Sequence, residues 1–389
     1  MSDANKRHKR VFNFFGKLMP VFMKRKYNIE NEIAPKIDSP YIVLSNHTSN
    51  LDPVLVGMSF PRRQMYFVAS EHLFRIGFIS FLLKRYFAPI SRMKGGTDAS
   101  TALNVIRQLR KGYNVCLFAE GNRSFNGVTC DIHPATAKLV KSSGATLVTY
   151  KLTGGYLSTP RWALFQRRGK MTGRVEAVYS PEQLKRLSVE EIHEIIKADL
   201  YENAYERQEK EHIAFKGRKL AEGLEAALYV CPCCKKIGTL HSKDDRFFCD
   251  SCDMSVAYNE YGELVGNAPY KNVLDWDKFQ AEHLRQLSRT LEDKTAFSDD
   301  GYVITEIGAR HKAKAVDKGR LSVSLECLSC GETSFKLSDI SDMNIILRNT
   351  LMFTVNDRHF ELTTKKENCS RKYLEFYKII KSNEQGETL

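Results

Sequence analysis

The chain has 389 residues, 42% apolar and 27% charged, a composition that fills packed cores in two or three domains and excludes a disordered or low-complexity protein. Lys and Arg number 59 against 46 Asp and Glu, a formal net charge of +13. That balance predicts an anionic partner, either nucleic acid or a phospholipid surface.

The N-terminal segment favours the membrane. Between Lys6 and Lys26, basic residues flank Val11, Phe12, Phe14, Phe15, Leu18, Met19, Val21, Phe22 and Met23. The apolar run is interrupted by Lys17 and Pro20 and falls short of the roughly 20 residues needed to span a bilayer. It also lacks a small-residue cleavage site, so a signal peptide is not expected. Residues 1–30 are therefore read as a basic apolar interfacial segment on an anionic membrane surface, with a solvated arm as the alternative.

Tyr41–Ile42–Val43–Leu44 reads as a buried strand, and Asp52–Pro53 as a helix start with Asp at the N-cap and Pro at the first helical position. Between them stand Asn46 and His47. On a regular helix His47 and Asp52 would lie roughly 140° apart, so the two side chains meet only if His47 sits at or before the first turn. In that geometry an imidazole takes a proton from an attacking hydroxyl while the carboxylate fixes its tautomer. Taken alone, the pair reads equally well as a histidine beside a helix cap.

A second apolar stretch, Leu73–Phe87, carries Arg75, Lys84 and Arg85 and suits either an amphipathic core helix or a membrane contact. Ala88–Pro89–Ile90–Ser91–Arg92 ends an apolar segment on an arginine. A helix signalled by Thr97–Asp98, with Leu103, Ile106 and Leu109 on one face, is expected to stop at Gly112. The strand Asn114–Phe118 then leads into Ala119–Glu120–Gly121–Asn122–Arg123–Ser124. In an open α/β sheet such strand ends gather at one edge, where ligands bind. Two arginines and a glycine turn near one base suit a phosphate, because guanidinium offers a planar fork of donors and glycine admits close backbone approach.

These blocks carry a family resemblance. His47 with Asp52 resembles the H-x4-D first motif of glycerolipid acyltransferases of the lysophosphatidic acid acyltransferase (PlsC-like) superfamily, with Asn46 in its usual place. Ile90–Ser91–Arg92 resembles the second motif, and Phe118–Ser124 the third, F-P-E-G-T-R-S, with Ala119 and Asn122 in place of Pro and Thr. Where a fourth, proline-containing motif is expected stands Thr146–Leu147–Val148–Thr149–Tyr150. The likeness covers roughly the first 200 residues, and the order and spacing of its blocks are more specific than any single block. It implies acyl transfer from acyl-CoA or acyl carrier protein to the lysophospholipid 1-acyl-sn-glycerol 3-phosphate, giving phosphatidic acid without a catalytic cofactor. His47 would be the base and Asp52 its orienting acid, with Asn46, Arg92, Glu120, Gly121, Asn122, Arg123 and Ser124 around the acceptor. Glycerol 3-phosphate or another lysophospholipid is the alternative acceptor.

Further along, a short helix is expected from Pro134 to Gly144, a strand over Ala145–Tyr150, and a loop from Gly154 to Trp162 that is either a surface turn or part of the acceptor site. A strand over Val175–Tyr179 precedes a helix opened by the capping box Ser188–Glu191 and running past Leu200. The charged stretch Tyr205–Lys219 closes an acyltransferase domain spanning residues 31–215.

Cys231–Pro232–Cys233–Cys234 and Cys249–Asp250–Ser251–Cys252 form two C-x2-C knuckles. Their separation is close to zinc-ribbon spacing and predicts a structural zinc held by Cys231, Cys234, Cys249 and Cys252, with Cys233 able to replace Cys234. Residues 228–265 form this ribbon, which lacks the aromatic-and-basic pattern that stacks nucleic-acid bases. A helical linker over 266–299, containing the helix Trp276–Leu291, leads to a small β module at 300–389. There Leu321–Leu325, Phe353–Val355 and Phe360–Leu362 read as antiparallel strands, the last two joined at Asn356–Asp357, and Ser370–Ile380 as a closing helix. The pattern resembles a pleckstrin-homology-like or GRAM-like module. Cys327 and Cys330 are read as small buried residues, because a second metal site would lack half its ligands.

The fold class expected is thus α/β: a mostly parallel or mixed central sheet flanked by helices, then a zinc ribbon and a small antiparallel β module closed by a C-terminal helix. The protein is expected in the cytoplasm, peripheral on the cytoplasmic face of the membrane. A catalytically idle zinc adaptor binding membrane or nucleic acid is the alternative from another class. A serine hydrolase is not expected, since no serine sits in a G-x-S-x-G elbow.

Overall fold

Successive side chains of a strand point to opposite faces, so a strand with an uninterrupted apolar run needs cover on both sides. Tyr41–Ser45 (β2) and Asn114–Phe118 (β5) are such strands and are buried throughout. This is seen in a computed structural model of the protein, which describes residues 3–61, 64–70, 80–81, 83–92, 99–292, 294–308, 313–365 and 367–385. The chain forms two compact units. Residues 1–161 with 166–216 make the first, and residues 162–165 with 217–389 the second.

In the first unit β2 and β5 lie at the centre of a seven-stranded sheet. Its other strands are Ile29–Asn31 (β1), Met65–Ser70 (β3), Ile90–Arg92 (β4), Thr146–Thr153 (β6) and Met171–Tyr179 (β7), in the order β1-β7-β6-β2-β5-β3-β4. All neighbouring pairs are parallel except β6 and β7. The sheet is therefore mixed, with a parallel middle.

Ile42, Leu44, Val115, Leu117 and Leu147 face one core, with Val105 and Leu109 of the helix Ala99–Arg110 (α3), Ala137 and Val140 of Ala135–Ser143 (α4), and Ile192 and Ile196 of Val189–Leu200 (α7). Tyr41, Val43, Cys116, Phe118 and Val148 face the other, with Leu55 and Val56 of Asp52–Ser59 (α2) and Phe12 and Met23 of Asp3–Tyr27 (α1). Three short helices complete the unit: Gly155–Ser158 (α5), Pro181–Arg186 (α6) and Ala204–Glu211 (α8).

Several expectations change. The segment read as interfacial, with its apolar run interrupted at Lys17 and Pro20, is one continuous helix, α1, that buries His8, Phe12 and Met23. Leu103 is 61% exposed, and the buried face of α3 is Thr101, Val105 and Leu109. The stretch Gly154–Trp162 is not a surface turn: it contains α5, all four of whose residues are buried. The capping box at Ser188 forms as read, with Glu191 N–H donating to Ser188 Oγ at 3.0 Å, and the helix stops at Leu200. Thr97–Asp98 and most of Leu73–Phe87 lie outside the described residues, the latter leaving a single helical turn over Leu83–Phe87.

The second unit has two antiparallel sheets. Leu240–Lys243 (β8), Arg246–Cys249 (β9), Ser255–Tyr258 (β10) and Leu264–Gly266 (β11) form one of four strands in the order β11-β10-β9-β8. The other has seven: Phe297–Ile307 (β12), Ala313–Val323 (β13), Cys327–Cys330 (β14), Thr333–Lys336 (β15), Ile340–Ile346 (β16), Thr350–Val355 (β17) and Arg358–Thr364 (β18). They run in the order β15-β14-β13-β12-β18-β17-β16. Asn356 and Asp357 both have positive φ, as a tight hairpin turn between β17 and β18 requires.

The closing helix Arg371–Gln385 (α10) buries Tyr373, Phe376, Tyr377 and Ile380. Within 266–299 the helix is Val273–Thr290 (α9), and it is no linker. Trp276 and Gln280 on it are fully buried, and its Asp277 pairs with Arg371 of α10 at 2.8 Å.

Candidate active site

Because β3, β4, β5, β6 and β2 are parallel, their carboxyl ends share one edge of the sheet, and the chemically distinctive residues emerge there. His47 follows β2 by two residues. Its Nδ1 lies 2.8 Å from Asp52 Oδ2, which leaves Nε2 as the acceptor nitrogen of a neutral ring. Phe118, the last residue of β5, stacks on the imidazole at 4.4 Å between centroids. The His47 side chain keeps 23% of its surface exposed, so a hydroxyl can reach it.

Asp52 is fully buried, and its carboxylate is saturated with donors. Thr48 N–H and Ser49 N–H donate at 2.6 and 2.9 Å to Oδ2, and Thr48 Oγ1 and Ser49 Oγ donate to Oδ1 at 3.1 and 2.6 Å. A buried carboxylate is tolerated only when so bonded. Asp52 is therefore not the N-cap of α2. It is that helix's first residue, and its side chain reaches back to order the loop carrying His47.

The loop is fixed from two more sides. Asn46 Nδ2 donates to Leu152 O and Asn46 Oδ1 accepts from Leu152 N–H, both at 2.8 Å, so its amide continues the pairing of β2 with β6. Glu120 accepts from His47 N–H through Oε1 and from Cys130 N–H through Oε2, each at 2.5 Å. Desolvation pushes the Glu120 carboxyl up to about 8, against the pull of those two N–H groups and with a smaller push from Asp52.

Arginines surround the turn after β5. Gly121 has φ +67°, and a Cβ there would stand 2.9 Å from an Arg92 guanidinium nitrogen, so glycine admits both the turn and the arginine. Arg123 Nη1 donates to Thr159 O at 3.4 Å. Burial holds its guanidinium below the ordinary value, offset by the charge of Asp52. Arg161 donates to Arg123 O at 3.0 Å and lies over the Phe125 ring at 4.4 Å. Asn122 sits half-buried on the turn, and Ser124 Oγ accepts from Gly127 N–H at 2.9 Å while donating to Asn126 Oδ1.

The structure thus gathers every residue named for the first unit around one sheet edge, with different tasks. His47 and Asp52 are hydrogen-bonded to each other, and Arg92 and Arg123 flank the turn after β5. Asn46, Glu120 and Ser124 were expected against the acceptor, yet their polar atoms bond backbone or neighbouring side chains, so they shape the site. A pocket of about 20 Å³, room for a single water, is lined by Asn46, His47, Glu120, Tyr156 and Glu202 among others.

Thr48, Ser49 and Glu202 were not read from the sequence as parts of this site, whereas Tyr156 and Arg161 lie in the loop Gly154–Trp162 that was read as either a surface turn or part of the acceptor site. The two hydroxyl residues next to His47 were the available signal. Glu202 joins through long-range contacts that leave no local pattern.

In the second unit the sulfurs of Cys231, Cys234, Cys249 and Cys252 all lie within 4.8 Å of one another. Cys233 is exposed and stands outside that group, as do Cys327 and the buried Cys330.

Known proteins are similar to the first unit in sequence. The Acyltransferase family matches residues 24–153, which include His47, Asp52, Arg92 and Glu120–Ser124. The chain is 27% identical over 154 residues to the chloroplastic 1-acyl-sn-glycerol-3-phosphate acyltransferase LPAT1 of Arabidopsis thaliana, across 38% of this chain and 42% of that relative. The chain therefore spans less than half the length of that relative. A crystal structure of the 1-acyl-sn-glycerophosphate acyltransferase PlsC from Thermotoga maritima aligns with a TM-score of 0.42 at 21% identity, covering 51% of this chain and 80% of that one. Within the first unit, residues 24–153 thus match the Acyltransferase family.

Proposed function

We propose that this domain moves a fatty acyl group from a thioester, acyl-CoA or acyl carrier protein, to the free hydroxyl of 1-acyl-sn-glycerol 3-phosphate, giving phosphatidic acid. The observation that carries the reading is His47 Nδ1 held on buried Asp52, which leaves Nε2 as the base, with Arg92 packed against Gly121 and Arg123 following on the same turn. Nε2 takes the acceptor hydroxyl's proton as its oxygen bonds to the thioester carbonyl carbon. The tetrahedral intermediate then collapses, the carbon–sulfur bond breaks, and the imidazolium returns the proton to the departing thiolate. Asp52 stabilises the imidazolium, and the two guanidinium groups hold the acceptor phosphate. No step needs a catalytic cofactor.

The same reading places the protein on the cytoplasmic face of an anionic membrane through α1. Phe14, Leu18, Val21 and Phe22 are exposed at helical spacing, with Lys24, Arg25 and Lys26 exposed in the last turn. Among the described residues no helix is long and apolar enough to cross a membrane.

The test is acyl transfer from palmitoyl-CoA to lysophosphatidic acid in detergent. His47→Ala is expected to lose about 10²–10⁴-fold in kcat, as removal of a positioned general base does, and Arg123→Ala to raise KM for the phosphate-bearing acceptor. Wild type active on glycerol 3-phosphate or another lysophospholipid alone would change the acceptor. Wild-type protein inert with every thioester and acceptor would leave the chain an idle adaptor.

A further inference from the structure

The four thiols of the second unit approach in crossed pairs. Cys231 Sγ is 3.6 Å from Cys252 Sγ, and Cys234 Sγ is 3.8 Å from Cys249 Sγ, each pair joining one knuckle to the other. A disulfide would need about 2.05 Å between sulfurs. Four sulfurs about 2.3 Å from one metal ion at tetrahedral angles stand about 3.8 Å apart, which is the spacing present. Two further groups meet one of these sulfurs: Ser251 N–H donates to Cys249 Sγ at 3.4 Å, and Thr239 Oγ1 lies 3.2 Å from it. Lys235, with φ +60°, turns the first knuckle and donates its N–H to Cys231 O at 2.9 Å. The nearby His241 ring pairs with Asp250 at 2.7 Å.

Cys231 ends a buried segment, Ala226–Cys231, on which both long helices of the unit converge. From α9, Trp276 Nε1 donates to Val230 O at 2.8 Å, Gln280 Oε1 accepts from Tyr229 N–H at 2.9 Å, and Gln280 Nε2 donates to Ala227 O at 2.8 Å. From α10, Arg371 Nη1 donates to Ala227 O at 3.1 Å while pairing with Asp277 of α9.

We propose that Cys231, Cys234, Cys249 and Cys252 bind one zinc ion, and that this closed centre fixes the segment Ala226–Cys231 and through it the packing of α9 and α10. Four protein thiolates fill a tetrahedral sphere, so the ion has no open position and its role is structural. Its reach extends to two helices that contain no cysteine. The assignment is independent of the acyl-transfer chemistry.

The experiment is elemental analysis of the full-length chain purified without chelator, followed by hydrogen exchange before and after metal removal. One zinc per chain is expected, retained in Cys233→Ser and lost in Cys252→Ser. Removal of the ion is expected to raise exchange in residues 273–290 and 371–382 as well as in 226–266. Absence of metal, iron at the tetrahedral sulfur site, thiols oxidised to disulfides, or metal loss in Cys233→Ser would each overturn the assignment. Exchange confined to the ribbon strands would overturn the keystone role. Because metal content is read on the wild type, the proposal does not depend on the Cys252→Ser chain folding.

Discussion

At His47 the ring and the main chain are held by different carboxylates, Asp52 on Nδ1 and Glu120 on the backbone N–H. The distinction separates a catalytic partner from a positioning one. Glu120→Gln would place an amide NH2 against one of two backbone N–H donors, and one unmade bond of this kind costs about 1–3 kcal/mol. The variant is expected to lower kcat more than it raises KM for the phosphate acceptor, because the base shifts while the arginines stay. It also has a pH signature. The folded carboxyl titrates at about 8 against about 4.5 for an ordinary glutamate, so between those values the folded state keeps a proton that the unfolded chain has released. Wild-type stability therefore falls as pH rises from about 4.5 to about 8 and then levels. The urea midpoint of Glu120→Gln, which cannot titrate, should fall less steeply across that window. The identity of these residues was legible in the sequence. What Asn46 and Glu120 bond to was not, since Leu152 and Cys130 sit on strands and turns that only the sheet order brings near.

Among the elements, α1 shows where local reading stops. Basic and aromatic composition was visible, as was the interruption of the apolar run at Lys17 and Pro20, but the helix that runs through both buries one face by tertiary packing, with His8 bonded to Gln64 at 2.6 Å. The opposite face leaves Val21 73% and Phe22 48% exposed. Burying a large apolar side chain is worth about 1.5–3 kcal/mol, so Val21→Asp and Phe22→Asp should each weaken co-flotation with anionic vesicles about tenfold or more. Activity in detergent should be unchanged. Equal flotation of wild type and both variants would mean that this face does not meet the membrane. Strong local signals, such as the strand at Tyr41 and the capping box at Ser188, appear where they were read. Leu103 was misplaced because an apolar residue beside a helical stripe looks like part of it until the neighbours are known. The burial of Gly154–Trp162 likewise depends on packing: a Cβ on Gly155 would stand 2.0 Å from Thr48 Oγ1, next to the base.

For the whole molecule, the parallel order of the sheet turns residues scattered from position 46 to position 161 into one site, and that step follows from topology. The α/β class was readable because apolar strands alternate with helical stripes. The antiparallel pairing of β6 with β7 and the seven-stranded sheet of the second unit were not; in that sheet β14 and β15 have only four residues each and leave little alternating pattern. One further consequence lies in where the two halves of the site are mounted. His47 follows β2, which has hydrogen-bonded strands on both sides, whereas Arg92 ends β4, a three-residue strand at the rim that among the described residues pairs with β3 alone. Short rim strands open at lower free energy than central ones. If the proposed reaction holds, warming should loosen the grip of Arg92 on the acceptor phosphate before the base is disturbed, so KM for the acceptor climbs over a range where kcat still rises. A heat-adapted version of this chain would then be made by securing the rim strand, leaving the chemistry untouched.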